Sequence, residues 1–206
     1  MRDFLSKGVI QASAKRLELD ELPPHDAEGM LPPRVDGEGL FAPYRISLDH
    51  FIDRFATGPD RAQLSASLLA FRRSVHEVLM VSPAMWIAGS FVELRAHQPE
   101  DIDAVVFFER TGVWKNPADD ERKMASTPEL FAQGGARAAF GMDVSFVALH
   151  QPTTLARAIH YYALYAHTRT GVWRGFVELP EYDKGKDAAA VARLGARLNS
   201  QKNLLG

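Results

Sequence analysis

The stretch WIAGSFVELRAHQPEDIDAVVFF, residues 86–108, places a Gly-Ser pair after one apolar run and two aspartates at the start of another. The second run, IDAVVFF, is rich in β-branched and aromatic residues, which favour a buried strand. Because side chains at positions i and i+2 of a strand point to the same face, Asp101 and Asp103 are expected to lie side by side. Two ionised carboxylates that close repel each other unless one takes up a proton or a cation lies between them. The stretch therefore predicts a strand that carries a cation site.

A third carboxylate lies in MDVSFVAL, residues 142–149, a later apolar run typical of a strand. Asp143 converges with Asp101 and Asp103 if the two strands are neighbours in the sheet. Mg²⁺ prefers oxygen ligands, and one or two carboxylates with phosphate oxygens are its usual ligands. Three aspartates can hold two such ions for an in-line phosphoryl transfer, with Asp143 placed to accept a proton from the attacking hydroxyl. A simpler alternative stays open, in which Asp143 faces away and the remaining pair binds one structural cation or none.

The Gly-Ser pair supplies the complementary feature, a site for phosphate. Gly89 follows the apolar run MWIA and permits a tight turn or a close backbone approach. The next segment, SFVELRA, is expected to begin a helix whose first N–H groups, together with the Ser90 hydroxyl, receive a triphosphate. Arg95 lies further along the same segment, where it is expected to meet phosphate charge. The segment thus predicts a phosphate cradle beside the cation site.

At these residues the sequence resembles the DNA polymerase β superfamily of nucleotidyltransferases. The pattern of that superfamily is a Gly-Gly or Gly-Ser turn, an aspartate pair split by one apolar residue, and a later acid. Here the matching residues are Gly89–Ser90, Asp101–Ile102–Asp103 and Asp143, within residues 85–149. The order of GMLPP, GSFVE, EDIDAVVF and VWRGF is also similar to that of a little-characterised bacterial branch of the superfamily.

The resemblance implies a mixed β-sheet flanked by helices that transfers a nucleoside monophosphate from a nucleoside triphosphate, ATP included, and releases pyrophosphate. Asp101 and Asp103 are then metal ligands, Asp143 completes the site and activates the acceptor, and Ser90 contacts phosphate. Two Mg²⁺ ions are implied, with Mn²⁺ as a substitute. The hydroxyl-bearing acceptor is left open between protein, RNA and a small molecule, since no second helical domain is evident in the sequence.

Helical spacing on both sides of the strand-forming runs predicts an α+β or α/β domain. One helix is predicted over 47–58, capped by Ser47, and another over 59–80, capped by Asp60. Residues 126–141 are also helix-like.

Two further helices are predicted after the last strand-forming run of this middle region. Residues 153–169 have an apolar stripe that includes Leu155, Ile159 and Tyr162. Residues 187–200 form a terminal helix capped by Asp187, and GVWRGFVEL before it is a candidate strand.

The start of the chain has a different composition. After a short predicted helix, residues 21–43 combine proline, glycine and acidic residues in a way typical of a loop or linker. Residues 1–45 are therefore interpreted as an arm or wrap. The nucleotidyltransferase-like domain is placed at 46–206, with its motif core at 85–149.

Two basic residues beyond the motif are further nucleotide-binding candidates. Arg174, next to Trp173 in VWRGF, can pair with phosphate while the tryptophan stacks on a base, and anchoring of the last strand is the alternative. Lys184 in YDKGKD is a candidate basic lip for the nucleotide, with a solvated hairpin as the alternative.

The composition limits the class of protein. The chain has 206 residues, a formal net charge of −2 and no cysteine. The charge gives no global attraction for nucleic acid, although a local basic groove stays possible. The absence of cysteine excludes disulfides, thiolate metal sites and a cysteine nucleophile. No apolar run approaches the roughly 18 residues of a membrane span, and the charged first residues do not form a signal peptide, so a cytoplasmic protein without a membrane partner is expected.

A second hypothesis is a nucleotidyltransferase-like fold that binds or regulates without catalysis. Small single-domain members of the superfamily can act as one half of a toxin–antitoxin or phage-defence pair. The proline-rich arm and the tyrosine-bearing helix over 153–169 would then contribute to an interface with a protein partner.

Overall fold

The protein has an α+β fold, which confirms the class expected from the sequence. The computed structural model describes residues 19–35, 41–79, 83–94, 98–109 and 117–205. The short helix predicted at the start of the chain lies outside the described residues, apart from its last positions. No helix within the described ranges is long and apolar enough to cross a membrane.

The strands are short and the helices surround them. In chain order the elements are β1 (Arg34–Val35), β2 (Phe41–Ala42), β3 (Tyr44–Arg45), α1 (Leu48–Phe55), α2 (Pro59–Leu79), β4 (Ala84–Ala88), a 3₁₀ turn (Gly89–Val92), β5 (Ile102–Phe108), α3 (Pro117–Ser126), α4 (Pro128–Phe131), α5 (Gly135–Phe140), β6 (Met142–Ala148), α6 (Thr154–Tyr165), β7 (Val177–Leu179) and α7 (Lys184–Leu205). Five strands form one mixed sheet in the order β3-β7-β4-β5-β6, and β1 pairs with β2 separately.

Strand β5 positions the predicted cation site within this sheet. It runs antiparallel to β4 on one side and parallel to β6 on the other. Ala104 and Val106 face the main core, which α1, α2 and α7 share, whereas Val105 belongs to a smaller cluster on the opposite face. Burial on both faces explains why IDAVVFF is a continuous apolar run and does not alternate with polar residues.

An aromatic cluster covers the second face of the sheet. Its buried members are Ala88, Val105, Val147, Tyr165, Ala166 and Phe176, with Trp86, Phe107, Tyr161 and Tyr162 packed against them. Helix α6 therefore directs its tyrosines to the sheet. The predicted stripe is wrong for Leu155 and Ile159, which are 71% and 59% exposed, because aromatic rings already fill the sheet-facing side.

The first two helices begin close to the predicted positions. The Ser47 hydroxyl accepts a hydrogen bond from the His50 backbone N–H at 3.1 Å, which confirms Ser47 as the cap of α1. Helix α2 begins at Pro59, so the prediction of Asp60 as its cap is wrong. Proline is favoured at the first helical position because its missing N–H has no partner there in any case.

Helix α7 begins before the predicted cap, and Asp187 has a different role. Asp183 caps the helix by accepting hydrogen bonds from the backbone N–H groups of Gly185 and Lys186. Asp187 is only 4% exposed and accepts two hydrogen bonds from the fully buried Arg72 of α2. The distances are 2.9 Å from Nε to Oδ1 and 3.3 Å from Nη2 to Oδ2. This bidentate pair joins α7 to α2 within the apolar core.

The described part of the predicted arm packs against the sheet. Leu31 is fully buried, and its carbonyl accepts a 2.6 Å hydrogen bond from the Gly175 N–H. Strand β3 pairs in parallel with β7 at the sheet edge. The division predicted at residue 45 therefore does not coincide with a gap in the packing of the described residues.

The buried ion pair between α2 and α7 generates a prediction. Asp187→Ala should lower the free energy of unfolding by about 3–5 kcal/mol, because the Arg72 charge would stay buried without its partner. Urea denaturation followed by circular dichroism measures this loss. The control is Asp53→Ala, which removes the partner of Arg193 in a half-exposed pair between α1 and α7. A much smaller loss is expected in the control, and equal losses in the two variants would contradict the assigned importance of the buried pair.

Candidate active site

The three aspartates come together at one end of the β4-β5-β6 part of the sheet. Asp103 in β5 is in register with Asp143 in β6, and Ala88, the last residue of β4, is paired with Asp103 on the other side. Residues paired across neighbouring strands point to the same face. Asp101 lies immediately before β5 and lines the same cavity as the other two aspartates. Asp143 therefore does not face away from the other two, which removes the premise of the simpler alternative.

One cavity of about 970 Å³ contains all three carboxylates on its lining. Its volume lies in the range of sites that bind small molecules and cofactors. Around the aspartates it is lined by Glu28 and Met30, by Gly89, Ser90 and Glu93, by Arg137, and by residues of the 163–174 segment that include Tyr165, Arg169 and Arg174. The described part of the predicted arm thus supplies one wall of the cavity through residues 28 and 30.

The Gly-Ser turn lies directly beside Asp103. Gly89 has φ +73°, a conformation that L side chains rarely adopt, and a Cβ atom at this position would collide with the Asp103 carboxylate. The expected helix after Ser90 is wrong: the chain makes a single 3₁₀ turn and becomes extended at Glu93. The Leu94 N–H donates to the Gly29 carbonyl at 2.8 Å, so the chain bonds to the N-terminal segment there and does not continue a helix.

Arg61 of α2 fixes this turn from the protein interior. It is 4% exposed, and its guanidinium donates to the backbone carbonyls of Phe91 at 2.6 Å and of Glu93. A longer bond of 3.4 Å reaches the Ser90 carbonyl. Arg61 therefore stabilises carbonyls that the short 3₁₀ turn leaves without helical partners. Arg61 belongs to no recognised motif, but helical spacing places it on the same apolar stripe as Leu64, where a charge is unusual.

Arg174 forms part of the cavity wall, as its candidacy for nucleotide binding requires. Its Nη1 lies 2.8 Å from Oε1 of Glu93, and the two side chains are only 16% and 5% exposed. Its Nε donates to the Tyr165 carbonyl at 3.1 Å. Arg174 therefore anchors the segment before β7 to the Gly-Ser turn and also presents positive charge to the aspartates. The neighbouring Trp173 is 41% exposed, and the centre of its ring lies 3.9 Å from that of His167, a residue of the cavity lining.

The environment of Asp103 disfavours its negative charge. Burial raises the pKa of its carboxyl group, and the nearby charges of Asp101 and Asp143 raise the pKa further. The guanidinium groups of Arg174 and Arg137 act in the opposite direction but do not cancel the effect. A cation beside Asp103 would remove the repulsion between the carboxylates.

Arg137, which no sequence motif indicates, is paired with one of the aspartates. Its Nη2 lies 2.9 Å from Oδ2 of Asp101. The pairing depends on the position of the short helix α5 immediately before β6. Gly141 links the two residues through the backbone, because its N–H donates to the Arg137 carbonyl and its own carbonyl accepts from the Ile102 N–H. No local sequence signal indicates this contact, which spans two different elements.

The other two predicted nucleotide-binding residues are Arg95 and Lys184. Arg95 lies outside the described residues. Lys184 is in the first turn of α7 and lines a separate cavity of about 700 Å³ with His76 and Tyr182. The hairpin alternative for this segment is wrong as well, because the Asp183 cap makes YDKGKD the start of a helix.

The chemistry of the three carboxylates suits Mg²⁺ or Mn²⁺, since both ions prefer oxygen ligands. Within the described ranges, however, no three His, Asp or Glu side chains are arranged to hold a metal ion as they stand. The ion pair with Arg137 engages Asp101, while Asp103 and Asp143 are adjacent in the sheet. A metal ion bound at Oδ2 of Asp101 would therefore have to take the place of the Arg137 guanidinium.

The fold and the site define an α+β protein with a three-aspartate cavity. Residues 23–180 match the family of unknown function DUF6932, so the chain belongs to this family. The matched range contains the Gly-Ser turn and all three aspartates and ends before α7. No curated protein matches the chain.

The contact between Gly89 and Asp103 can be tested with a matched pair of glycine variants. Gly134 has the same φ of +73° but open space where a Cβ would lie. Gly134→Ala should lower the free energy of unfolding by about 1–2 kcal/mol, the usual cost of a left-handed conformation. Gly89→Ala should cost more, because its Cβ also displaces the Asp103 carboxylate. Chemical denaturation measures both, and equal losses would contradict the close contact.

The repulsion at Asp103 predicts a gain in stability when its charge is removed. The pKa of Asp103 is higher in the folded protein than in the unfolded chain. At pH values between these two pKa values, the folded protein therefore binds more protons than the unfolded chain. Stability is therefore expected to fall as pH rises through that window. Asp103→Asn should raise the melting temperature at neutral pH and reduce this decline. Glu181→Gln, at an exposed acid outside the cavity, is the control, and a melting temperature lowered by Asp103→Asn would contradict the interpretation.

Proposed function

We propose that this protein is a Mg²⁺-dependent nucleotidyltransferase, which moves a nucleoside monophosphate from a nucleoside triphosphate to a hydroxyl-bearing acceptor. The observation that carries the proposal is the register of Asp103 with Asp143, which brings three carboxylates into one cavity beside the Gly-Ser turn. The acceptor is a protein, an RNA or a small molecule.

The charges in the cavity favour a metal-bound triphosphate over the free anion. Asp101, Asp103 and Asp143 place negative charge on one side of the cavity, and Arg174 is already neutralised by Glu93. A bare triphosphate would be repelled by the carboxylates. A divalent cation shared between the carboxylates and the phosphates turns this repulsion into attraction. Proteins commonly bind Mg²⁺ with nucleotides through such shared coordination.

Each residue has a role in the proposed transfer. Asp101 and Asp103 would hold the metal, which supplies charge neutralisation at the phosphates. Ser90 and the N–H groups of its turn would bind phosphate oxygens. Asp143 would accept the proton as the acceptor oxygen forms a bond to the α-phosphorus, while the bond from the α-phosphorus to the bridging oxygen breaks and pyrophosphate leaves.

A second candidate function is that of a binding protein with the same fold and no catalysis. Leu155 and Ile159 lie one turn apart on α6 and are both largely exposed, which favours coverage by a partner chain. For this candidate, association with the partner should not depend on the carboxylates of the cavity.

Calorimetric titration with ATP, GTP, CTP and UTP, with and without Mg²⁺, tests the proposal. Binding of at least one nucleotide should require the metal and should be lost in Asp103→Asn, which keeps the side-chain shape but removes the charge. With the bound nucleotide radiolabelled at its α-phosphate and a mixture of RNA, peptides and small alcohols, Asp143→Asn should slow transfer at least about a hundredfold.

Glu181→Gln is the control for these titrations, because it removes one negative charge outside the cavity. It should retain metal-dependent binding. A wild-type protein that binds none of the four nucleotides with Mg²⁺ or Mn²⁺ would contradict the proposal and leave the binding protein as the favoured candidate.

A further inference from the structure

Arg137 occupies a carboxylate oxygen that a metal ion in the cavity could use as a ligand. Its guanidinium contacts Oδ2 of Asp101 at 2.9 Å, the side chain of Arg137 is 57% exposed, and that of Asp101 is 18% exposed. The backbone of α5 is tied to the start of β5 through Gly141, so the base of the arginine side chain is fixed while its tip reaches into the cavity.

We propose that Arg137 is a phosphate-binding residue that exchanges partners, leaving Asp101 for the triphosphate when the metal–nucleotide complex enters. This inference rests on the proposed function of the same cavity. It explains why three carboxylates share a cavity and yet are not arranged to hold a metal: the Arg137 cation takes the place of the ion at Asp101.

Electrostatics favours the exchange. A guanidinium and a divalent cation on the same carboxylate oxygen repel each other, and the repulsion is stronger in a partly enclosed cavity than in water. A metal ion that arrives alone must therefore displace Arg137 without offering it a new partner. A metal ion that arrives with a triphosphate provides phosphate oxygens, which match the planar donors of an arginine.

The exchange couples the two ligands. Arg137 weakens the binding of the metal alone and strengthens the binding of the metal–triphosphate complex, so each ligand raises the affinity for the other. The site is thereby selective for a metal that is already bound to phosphate.

Arg137 is better suited to this exchange than Arg174. Arg174 is held by the buried Glu93 carboxylate and by the Tyr165 carbonyl, and only 16% of its side chain is exposed. Its release would leave Glu93 buried without this partner. Arg137 is more than half exposed and can reorient without opening the packed interior.

Two titrations of the wild-type protein and of Arg137→Ala test the inference. The first follows Mn²⁺ alone by electron paramagnetic resonance, and the second follows the Mn²⁺–tripolyphosphate complex by calorimetry, so no base preference is assumed. Arg137→Ala should bind Mn²⁺ alone about three- to fivefold more tightly, as expected from loss of a partly exposed ion pair. It should bind Mn²⁺–tripolyphosphate about tenfold more weakly, because charged hydrogen bonds to phosphate are lost.

Two further variants separate partner exchange from a general effect of charge. Arg157→Ala removes an exposed positive charge from α6, outside the cavity lining, and should shift neither affinity appreciably. Arg137→Lys keeps the charge, so its affinity for Mn²⁺ alone should be nearly as low as that of the wild-type protein. It should recover only part of the affinity for Mn²⁺–tripolyphosphate.

The outcomes distinguish this inference from the proposed function. If the wild-type protein and Arg137→Ala have the same affinity for each probe, the role of Arg137 is overturned and the nucleotidyltransferase proposal still stands. If Arg137→Ala changes the affinities for both probes in the same direction, the proposed exchange of partners is also overturned. A wild-type protein that binds neither probe would overturn both proposals.

Discussion

The pairing of β5 with β6 in parallel register is the constraint on which the rest of the site depends. It places the Asp103 and Asp143 carboxylates on neighbouring strands and on one face, where they repel each other. Two arginines partly offset the negative charge of the cluster. Arg137 pairs with Asp101, and Arg174 places positive charge near Asp103. A single register shift would move Asp143 to the opposite face and remove the site.

Contacts elsewhere in the fold stabilise the sheet and offset the repulsion within this cluster. The main core fixes one face of β5 against α1, α2 and α7, and the aromatic cluster fixes the other face below the aspartates. The buried bond between Arg72 and Asp187 adds a directional link between α2 and α7. A carboxylate such as that of Asp103, retained at a cost in stability on the wall of a cavity, is typical of a binding or catalytic site.

The sequence predicted the local features of the site but not its long-range contacts. Strand periodicity and spacing were sufficient for β4, β5 and β6, for the proximity of Asp101 and Asp103 and for the close approach of the backbone at Gly89. The position of Asp143 was left open, because it depends on the pairing of β5 with β6. Long-range contacts determined the remainder. The helix expected after Ser90 is a 3₁₀ turn held by Arg61, and the exposed side of α6 could not be assigned before the position of the aromatic cluster was known.

The most direct test of the central claim is a crystal structure grown with Mn²⁺ and a non-hydrolysable nucleoside triphosphate analogue, using the nucleotide that binds in solution. Anomalous scattering identifies Mn²⁺ independently of the model built around it. The account predicts at least one anomalous peak coordinated by Asp103 together with Asp101 or Asp143, with the phosphates against the Gly89–Ser90 turn. A bound nucleotide whose metal lies away from all three aspartates would contradict it.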